Sequence, residues 1–182
     1  LVPAGSLIEE GASYLSTRTR VSGLSLTTGV KHALEPAAQN AQTVYDPAAH
    51  AAAFHACVTV RQGQTLRLQK YCVFSDERRH GDTLAAARRA MAGAFGRADE
   101  LYRAQQETLS AFWESADTTI LGDNDTNLSM QFNLYQLFQS AGRDGLCSIA
   151  AKGLSGEGYE GHYFWDTEMY MMPFFTLTMP QL

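Results

Sequence analysis

The sequence is short of several things, and each shortage removes a class of function. Three cysteines, Cys57, Cys72 and Cys147, stand far apart in 182 residues. An odd, scattered set with no Cys-x-x-Cys and no Cys/His spacing excludes a disulfide framework and a zinc site, so the thiols read as reduced, in a cytoplasmic protein, with no metal expected. There is no basic run: 14 Lys and Arg stand against 19 Asp and Glu, for a net charge of −5. The Arg78-Arg79 and Arg88-Arg89 pairs read as solvated faces, and nucleic acid is not an expected partner. No apolar stretch approaches the roughly 18 residues of a membrane span, and LVPAGSLIEEG lacks the basic start and apolar centre of a secretion signal, so no membrane partner is expected. Neither an internal repeat nor a low-complexity tract is present. What remains, 45% hydrophobic and 18% charged, is the make-up of a globular chain able to bury a core.

The pattern changes along the chain. Residues 54–61 alternate, with Phe54, Ala56, Val58 and Val60 on one side and His55, Cys57, Thr59 and Arg61 on the other. A second alternating run follows Gln62-Gly63 through Leu66, Leu68, Lys70, Cys72 and Phe74. Together they predict a β-hairpin over 54–74 whose glycine supplies the positive φ of the turn. Residues 12–21 and 24–30 predict two further strands, and 35–53 an irregular connection. From Asp82 the sequence becomes alanine-rich: Asp82 suits the N-cap of a helix over 83–94 ended by Gly93 or Gly96. A second helix over 98–114 carries Leu101, Tyr102, Leu109, Phe112 and Trp113 on one stripe. In 126–141 the residues Leu128, Met130, Phe132, Leu134, Tyr135, Leu137 and Phe138 cover nearly the whole circumference, which predicts a helix buried all round. Met169, Met171, Met172, Phe174, Phe175, Leu177 and Met179 form an apolar surface with no sequence left to cover it. The expectation is a piece of something larger.

Between these helices and the last residue stands GEGYEGHYFWDTEMY, residues 156–170, with three tyrosines, a tryptophan, a histidine and four carboxylates. A core does not need that mixture, because a buried carboxylate without partners is costly. A sugar site does need it. The C–H face of a pyranose rests on an aromatic ring while its hydroxyls donate to carboxylates. The bland alternative for Asp166 is the N-cap of a helix starting at Thr167, with Trp165 in a core.

The run Ala150-Ala151-Lys152-Gly153-Leu154-Ser155-Gly156-Glu157-Gly158-Tyr159, then Gly161-His162-Tyr163-Phe164-Trp165-Asp166-Thr167-Glu168 and Pro173-Phe174-Phe175, resembles the start of the catalytic domain of glycoside hydrolase family 65. These are the inverting phosphorylases of maltose, trehalose, kojibiose and nigerose. Phe132-Asn133-Leu134-Tyr135-Gln136-Leu137, Gln139-Ser140-Ala141 and the stretch from Trp113 to Gly122-Asp123 extend the likeness. The resemblance covers most of 82–182 well and the strand region only by position and style. It implies an α+β chain: the end of an antiparallel β-sandwich over 1–78, a helical linker over 79–120, and the first helices of an (α/α)6 barrel over 121–182.

The resemblance assigns Trp165 and Asp166 to the non-reducing glucose, one as an apolar platform and the other as acceptor from two neighbouring hydroxyls. Tyr163 and His162 share the loop as further candidate substrate-binding residues. Glu157, between two glycines, either braces the loop or reaches the sugar. Glu168 reads as a first-turn carboxylate favoured by the helix dipole, and Lys152 as a solvated surface charge. In the family a single glutamic acid far downstream protonates the glycosidic oxygen while phosphate attacks, so no catalytic residue is expected in this chain. The implied partners are a disaccharide and inorganic phosphate as co-substrate, with no cofactor, in a homodimer when full length. A hydrolase on the same barrel and a non-catalytic carbohydrate-binding protein are the competing readings. Against a lectin-like sandwich, the aromatic and acidic residues cluster after 156 and not on the strands.

Overall fold

The computed structural model describes residues 1–156 and 158–182. They fall into two units, Leu1–Tyr102 and Arg103–Leu182. In the first, strand β1 (Val2–Glu9) reverses on Glu10 and Gly11, both at positive φ (50° and 77°), and returns as β2 (Ala12–Arg18). Two left-handed residues between antiparallel strands match the twist of a hairpin, and glycine takes the second at no steric cost. Thr19 to Leu24 close the next turn, with the Thr19 N–H donating to the Leu24 carbonyl at 2.9 Å, and β3 (Ser25–Glu35) follows. After β4 (Gln42–Asp46) and β5 (Ala51–His55) comes β6 (Arg67–Asp76). The main sheet is antiparallel in the order β1-β2-β3-β6, and β4 and β5 form a separate two-stranded ribbon.

One face of the main sheet is covered by helix α1 (Thr83–Ala94). Asp82 caps it, its carboxylate accepting from the Ala85 N–H at 2.9 Å, and Gly96 at φ 81° takes the chain out. Ala12, Tyr14 and Tyr71 of the sheet pack with Ala87 and Met91 of the helix as the buried core of this unit. Gly29 is what lets them close. It stands opposite Tyr14 and Val73 in the register. A Cβ there would lie 2.7 Å from Val73 Cγ2 and 2.8 Å from Tyr14 Cε1, inside any real contact distance, so the Tyr14 ring occupies the space that a side chain on β3 would fill. Beside this apolar centre runs a row of hydroxyls: Ser16 Oγ to Thr27 Oγ1 and Thr27 Oγ1 to Thr83 Oγ1, each 2.8 Å.

The second unit is helical. Helix α2 (Ala98–Ala116) runs into it from the first, and α3 (Asn124–Ser140) follows Gly122 at φ 88°. Asp123 caps α3: its carboxylate accepts from the Thr126 N–H at 3.0 Å and from the Thr126 hydroxyl at 2.7 Å, bonds that hold it below the usual carboxylate range. Phe112 stacks on Phe138 with centroids 4.3 Å apart. Ala116 and Leu134 complete the buried cluster, and Phe174 and Met179 from the region of α4 (Met172–Thr178) pack against it.

Three sequence expectations change here. The hairpin over 54–74 does not form: Gly63 does make its positive-φ turn, with the Gln64 N–H donating to the Arg61 carbonyl, but β5 pairs with β4 and β6 pairs with β3 over ten register positions. Alternation tells which residues share a side of a strand and says nothing of its partner. The buried row of β6 contains Tyr71 and Ser75, whereas Leu68 and Phe74, the expected apolar row, lie outward, Phe74 with 70% of its surface exposed. The stretch 35–53 is not all connection, because β4 lies within it and Asp46 closes a tight turn by accepting from the Ala48 and Ala49 N–H groups. Finally, α3 is not buried all round. Leu134 and Phe138 are buried, while Leu128 and Phe132 stay 67% and 57% exposed, because the described residues pack on one side of the helix only.

Filling the Gly29 space should destabilise the chain: Gly29→Val is expected to cost about 1–3 kcal/mol by overpacking, and Phe112→Ala about 3–5 kcal/mol by emptying the second cluster. Denaturant unfolding checks both. A Gly29→Val chain as stable as the parent would refute the close-approach argument.

Candidate functional site

The segment after α3 is a chain of tight turns. Gly153, at φ 53°, lies so close to the Ser140 side chain that a Cβ would come within 2.2 Å of its hydroxyl, so glycine is required both for the backbone angle and for the approach to the end of α3. The Gly153 N–H donates to the Ala150 carbonyl and the Ser155 N–H to the Lys152 carbonyl, at 2.8 and 3.0 Å. Tyr159–Gly161 form a single tight turn, with Tyr159 and Glu160 both in the left-handed region (φ 52° and 51°). The His162 N–H closes it on the Tyr159 carbonyl at 2.9 Å, and the His162 carbonyl accepts from the Ala151 N–H at 3.2 Å. That last bond ties the two ends of the loop together.

The chain then enters a wider π-type turn, Thr167–Met171, whose last bond runs from the Met172 N–H to the Thr167 carbonyl, before α4 begins with Pro173 in its first turn. Proline accounts for the widening. Its ring crowds the carbonyl four residues back and it brings no N–H, so a regular α ladder through this point would be broken, while proline in a first turn is tolerated. Asp166 precedes the turn with helical backbone angles (φ −53°, ψ −29°), and its side chain makes no capping hydrogen bond. An N-cap residue sits in the extended region and accepts from the second or third N–H beyond it; Asp166 does neither.

Asp166 instead lines a hollow of about 340 Å³ with Ala150, Ala151, Tyr159, Phe164, Thr167 and Met171. Tyr159 and Phe164 meet edge to face there, centroids 5.2 Å apart. A carboxylate and a hydroxyl beside two ring faces give a ligand both acceptors and an apolar wall.

Residues 3–112 match the N-terminal domain of glycosyl hydrolase family 65, and residues 131–182 match the central catalytic domain of the same family. The chain belongs to glycosyl hydrolase family 65. Among the proteins similar to it, an alpha,alpha-trehalose phosphorylase of Geobacillus stearothermophilus is 46% identical over 120 residues, 63% of this chain and 15% of that protein. A kojibiose phosphorylase of Halothermothrix orenii is 31% identical over 189 residues, 97% of this chain and 24% of the relative. The solved structure of a candidate kojibiose phosphorylase from human microbiome shares the fold, with TM-score 0.70 and 19% identity over 99% of this chain and 24% of that one. The family 65 chain thus spans a quarter or less of these relatives, and its strand-rich first part followed by helices is the fold of the family's N-terminal domain and the start of its helical catalytic domain.

Of the candidate substrate-binding residues of the family 65 sequence, Asp166 alone lines the hollow among those described. Trp165 is adjacent in sequence but 74% exposed, and Tyr163 is also exposed. His162 acts through its backbone, as the loop clasp. Glu157 lies outside the described residues. Glu168 sits in the first turn after Asp166, as expected of a dipole-favoured carboxylate. Tyr159, Phe164, Thr167 and Met171 were not among the substrate-binding candidates. The signal that could have found Tyr159 and Phe164 is their place in the same aromatic run, two rings flanking Gly161.

Since Asp166 bonds to no helix terminus, Asp166→Asn is expected to leave unfolding stability within about 0.5 kcal/mol of the parent. A cap would cost about 1 kcal/mol on removal. Asp82→Ala, measured in parallel, supplies that cap-sized loss as the internal reference.

Proposed function

We propose that this family 65 chain is the sugar-holding part of a disaccharide phosphorylase. What carries the reading is its likeness to relatives named trehalose phosphorylase and kojibiose phosphorylase. In the proposed site Asp166 accepts from two neighbouring hydroxyls of the non-reducing glucose, and Trp165 offers its exposed indole as a platform. Charged acceptors strengthen such bonds, and the hollow beside Asp166 supports the assignment. Tyr163, His162 and Glu157, from the same stretch of sequence, complete the proposed substrate-binding set.

The proposed reaction is a single displacement. A phosphate oxygen forms a bond to the anomeric carbon as the glycosidic C–O bond breaks, and a carboxylic acid elsewhere in the polypeptide gives its proton to the departing oxygen. Phosphate is already a nucleophile, so the base that an inverting hydrolase uses to activate water is not needed. One displacement inverts the centre: an α-linked disaccharide yields β-glucose 1-phosphate and glucose. Within this scheme the chain contributes no catalytic residue, and the full-length protein works as a cytoplasmic homodimer without a cofactor.

Incubating the full-length protein with maltose, trehalose, kojibiose and nigerose, with and without phosphate, and following the anomeric protons by NMR tests this directly. The expected result is phosphate-dependent cleavage with a β-configured ester. Equal glucose release without phosphate would make the protein a hydrolase, and sugar binding without turnover would make it a binding protein. In the phosphorylase, Asp166→Asn is expected to lower kcat/KM about 10- to 100-fold, the worth of a hydrogen bond to a charged group. Trp165→Ala should also lower it with the fold retained.

A further inference from the structure

Between the β1–β2 turn and α1 lies a hollow of about 500 Å³, formed wholly within the first unit. Its apolar floor is Tyr14, Met91 and Phe95. Ala85 and Ala92, two helical turns apart on one face of α1, also line it, and their methyl groups leave open the room that longer side chains would fill.

Tyr14 keeps only 5% of its surface. A tyrosine so deeply buried ordinarily finds a partner for its hydroxyl. This one makes no hydrogen bond among the described residues, and the oxygen is not sealed from outside, so its donor opens into the hollow. Burial, and then the Glu9 charge, move the phenol up. The hydroxyl therefore keeps its proton and can donate. Around it the rim carries both signs. Glu9 and Arg88 are tied at 2.8 Å, and Lys31 Nζ is held over the Phe95 ring, 4.3 Å from the centroid. Glu10, fixed by the turn at φ 50°, and Arg89 stand beside them.

That rim selects a ligand class. Two carboxylates oppose an anion and three cations oppose a cation, so charge draws in neither. What the rim offers is donors and acceptors side by side. A neutral polyhydroxyl compound uses both, and the C–H face of its ring suits the floor. The volume falls within the roughly 300–1,000 Å³ of small-molecule sites. We propose that this hollow is a saccharide site, in which one or two neutral sugar rings rest on Tyr14, Met91 and Phe95, the Tyr14 hydroxyl donates to one sugar hydroxyl, and Glu10 accepts from another. It shares no residue with the Asp166 hollow, and it stands whether or not the reaction proposed above is the one catalysed.

The test titrates the whole 15N-labelled chain with glucose and with maltose, and separately with inorganic phosphate, while the backbone amides are followed. The expected outcome is saturable, sugar-dependent shifts at residues 12–14, at Lys31 and along 85–95, which phosphate neither produces nor displaces and which persist in Asp166→Asn. Tyr14→Phe keeps the ring and removes only the hydroxyl, so it should raise Kd about 3- to 10-fold, the worth of one hydrogen bond. Ala92 is exposed, so Ala92→Phe fills the hollow and spares the core; its sugar shifts should vanish while the spectrum stays dispersed. Sugar shifts confined to 150–171, or none at any residue, would overturn the proposal. So would parent-like binding in both variants. Phosphate competing at the same amides would make this an anion site and overturn it as well.

Discussion

The close approach of Tyr14 to Gly29 is the contact on which the first unit depends. Without a side chain on β3 at this point, the ring of Tyr14 from β2 and the side chain of Val73 from β6 both close over Gly29. Side chains of the two flanking strands thereby fill the space over the middle one, in addition to the ladders. The ring also offers α1 a continuous apolar floor with Ala12 and Tyr71, onto which Ala87 and Met91 close. Burial moves the Tyr14 phenol up, with Glu9 adding to the effect, so the hydroxyl stays neutral and the floor stays uncharged. Arg88 answers Glu9 across this edge at 2.8 Å; exposed as it is, the pair adds at most a small increment to what the apolar contact supplies.

The helical unit rests on a different device, a stack of two phenylalanines one from each neighbouring helix. Phe112 and Phe138 are buried because α2 and α3 each present one apolar stripe toward the other. The remaining apolar positions of α3 have no counterpart among the described residues. An all-round apolar pattern measures how much surface a sequence is prepared to bury, and this chain buries only one side of it. The exposed Leu128 and Phe132 are the visible difference.

Local rules were legible in the sequence wherever a single residue dictates a backbone event. Asp82 as cap, Gly96 as exit and Gly63 as turn each behave as their chemistry requires. Pairing was not legible, because the partner of β6 is settled by Tyr71 meeting the helix face across a gap of many residues, and nothing in the alternation of β6 encodes that. In the candidate site, the family resemblance pointed to Asp166, and the aromatic-and-acid composition to the segment that carries the hollow. Composition could not tell Tyr159 and Phe164, which face the hollow, from Tyr163 and Trp165, which face outward. The successive left-handed residues Tyr159 and Glu160 turn the chain there, and such angles on non-glycine residues are not foreseeable from residue type.

The π-type turn at Thr167–Met171 holds one residue more than the α-helix that follows it would. In an α-helix each residue advances the azimuth by about 100°, so a wide turn acts as a phase shifter between Asp166 and the apolar face of α4. Sequences of this kind can therefore differ by a single insertion or deletion between these two points without unfolding either: the change would instead rotate the carboxylate about the helix axis relative to Phe174, which anchors α4. Length in this short stretch sets direction, and a gap of one residue in an alignment across it carries geometric meaning.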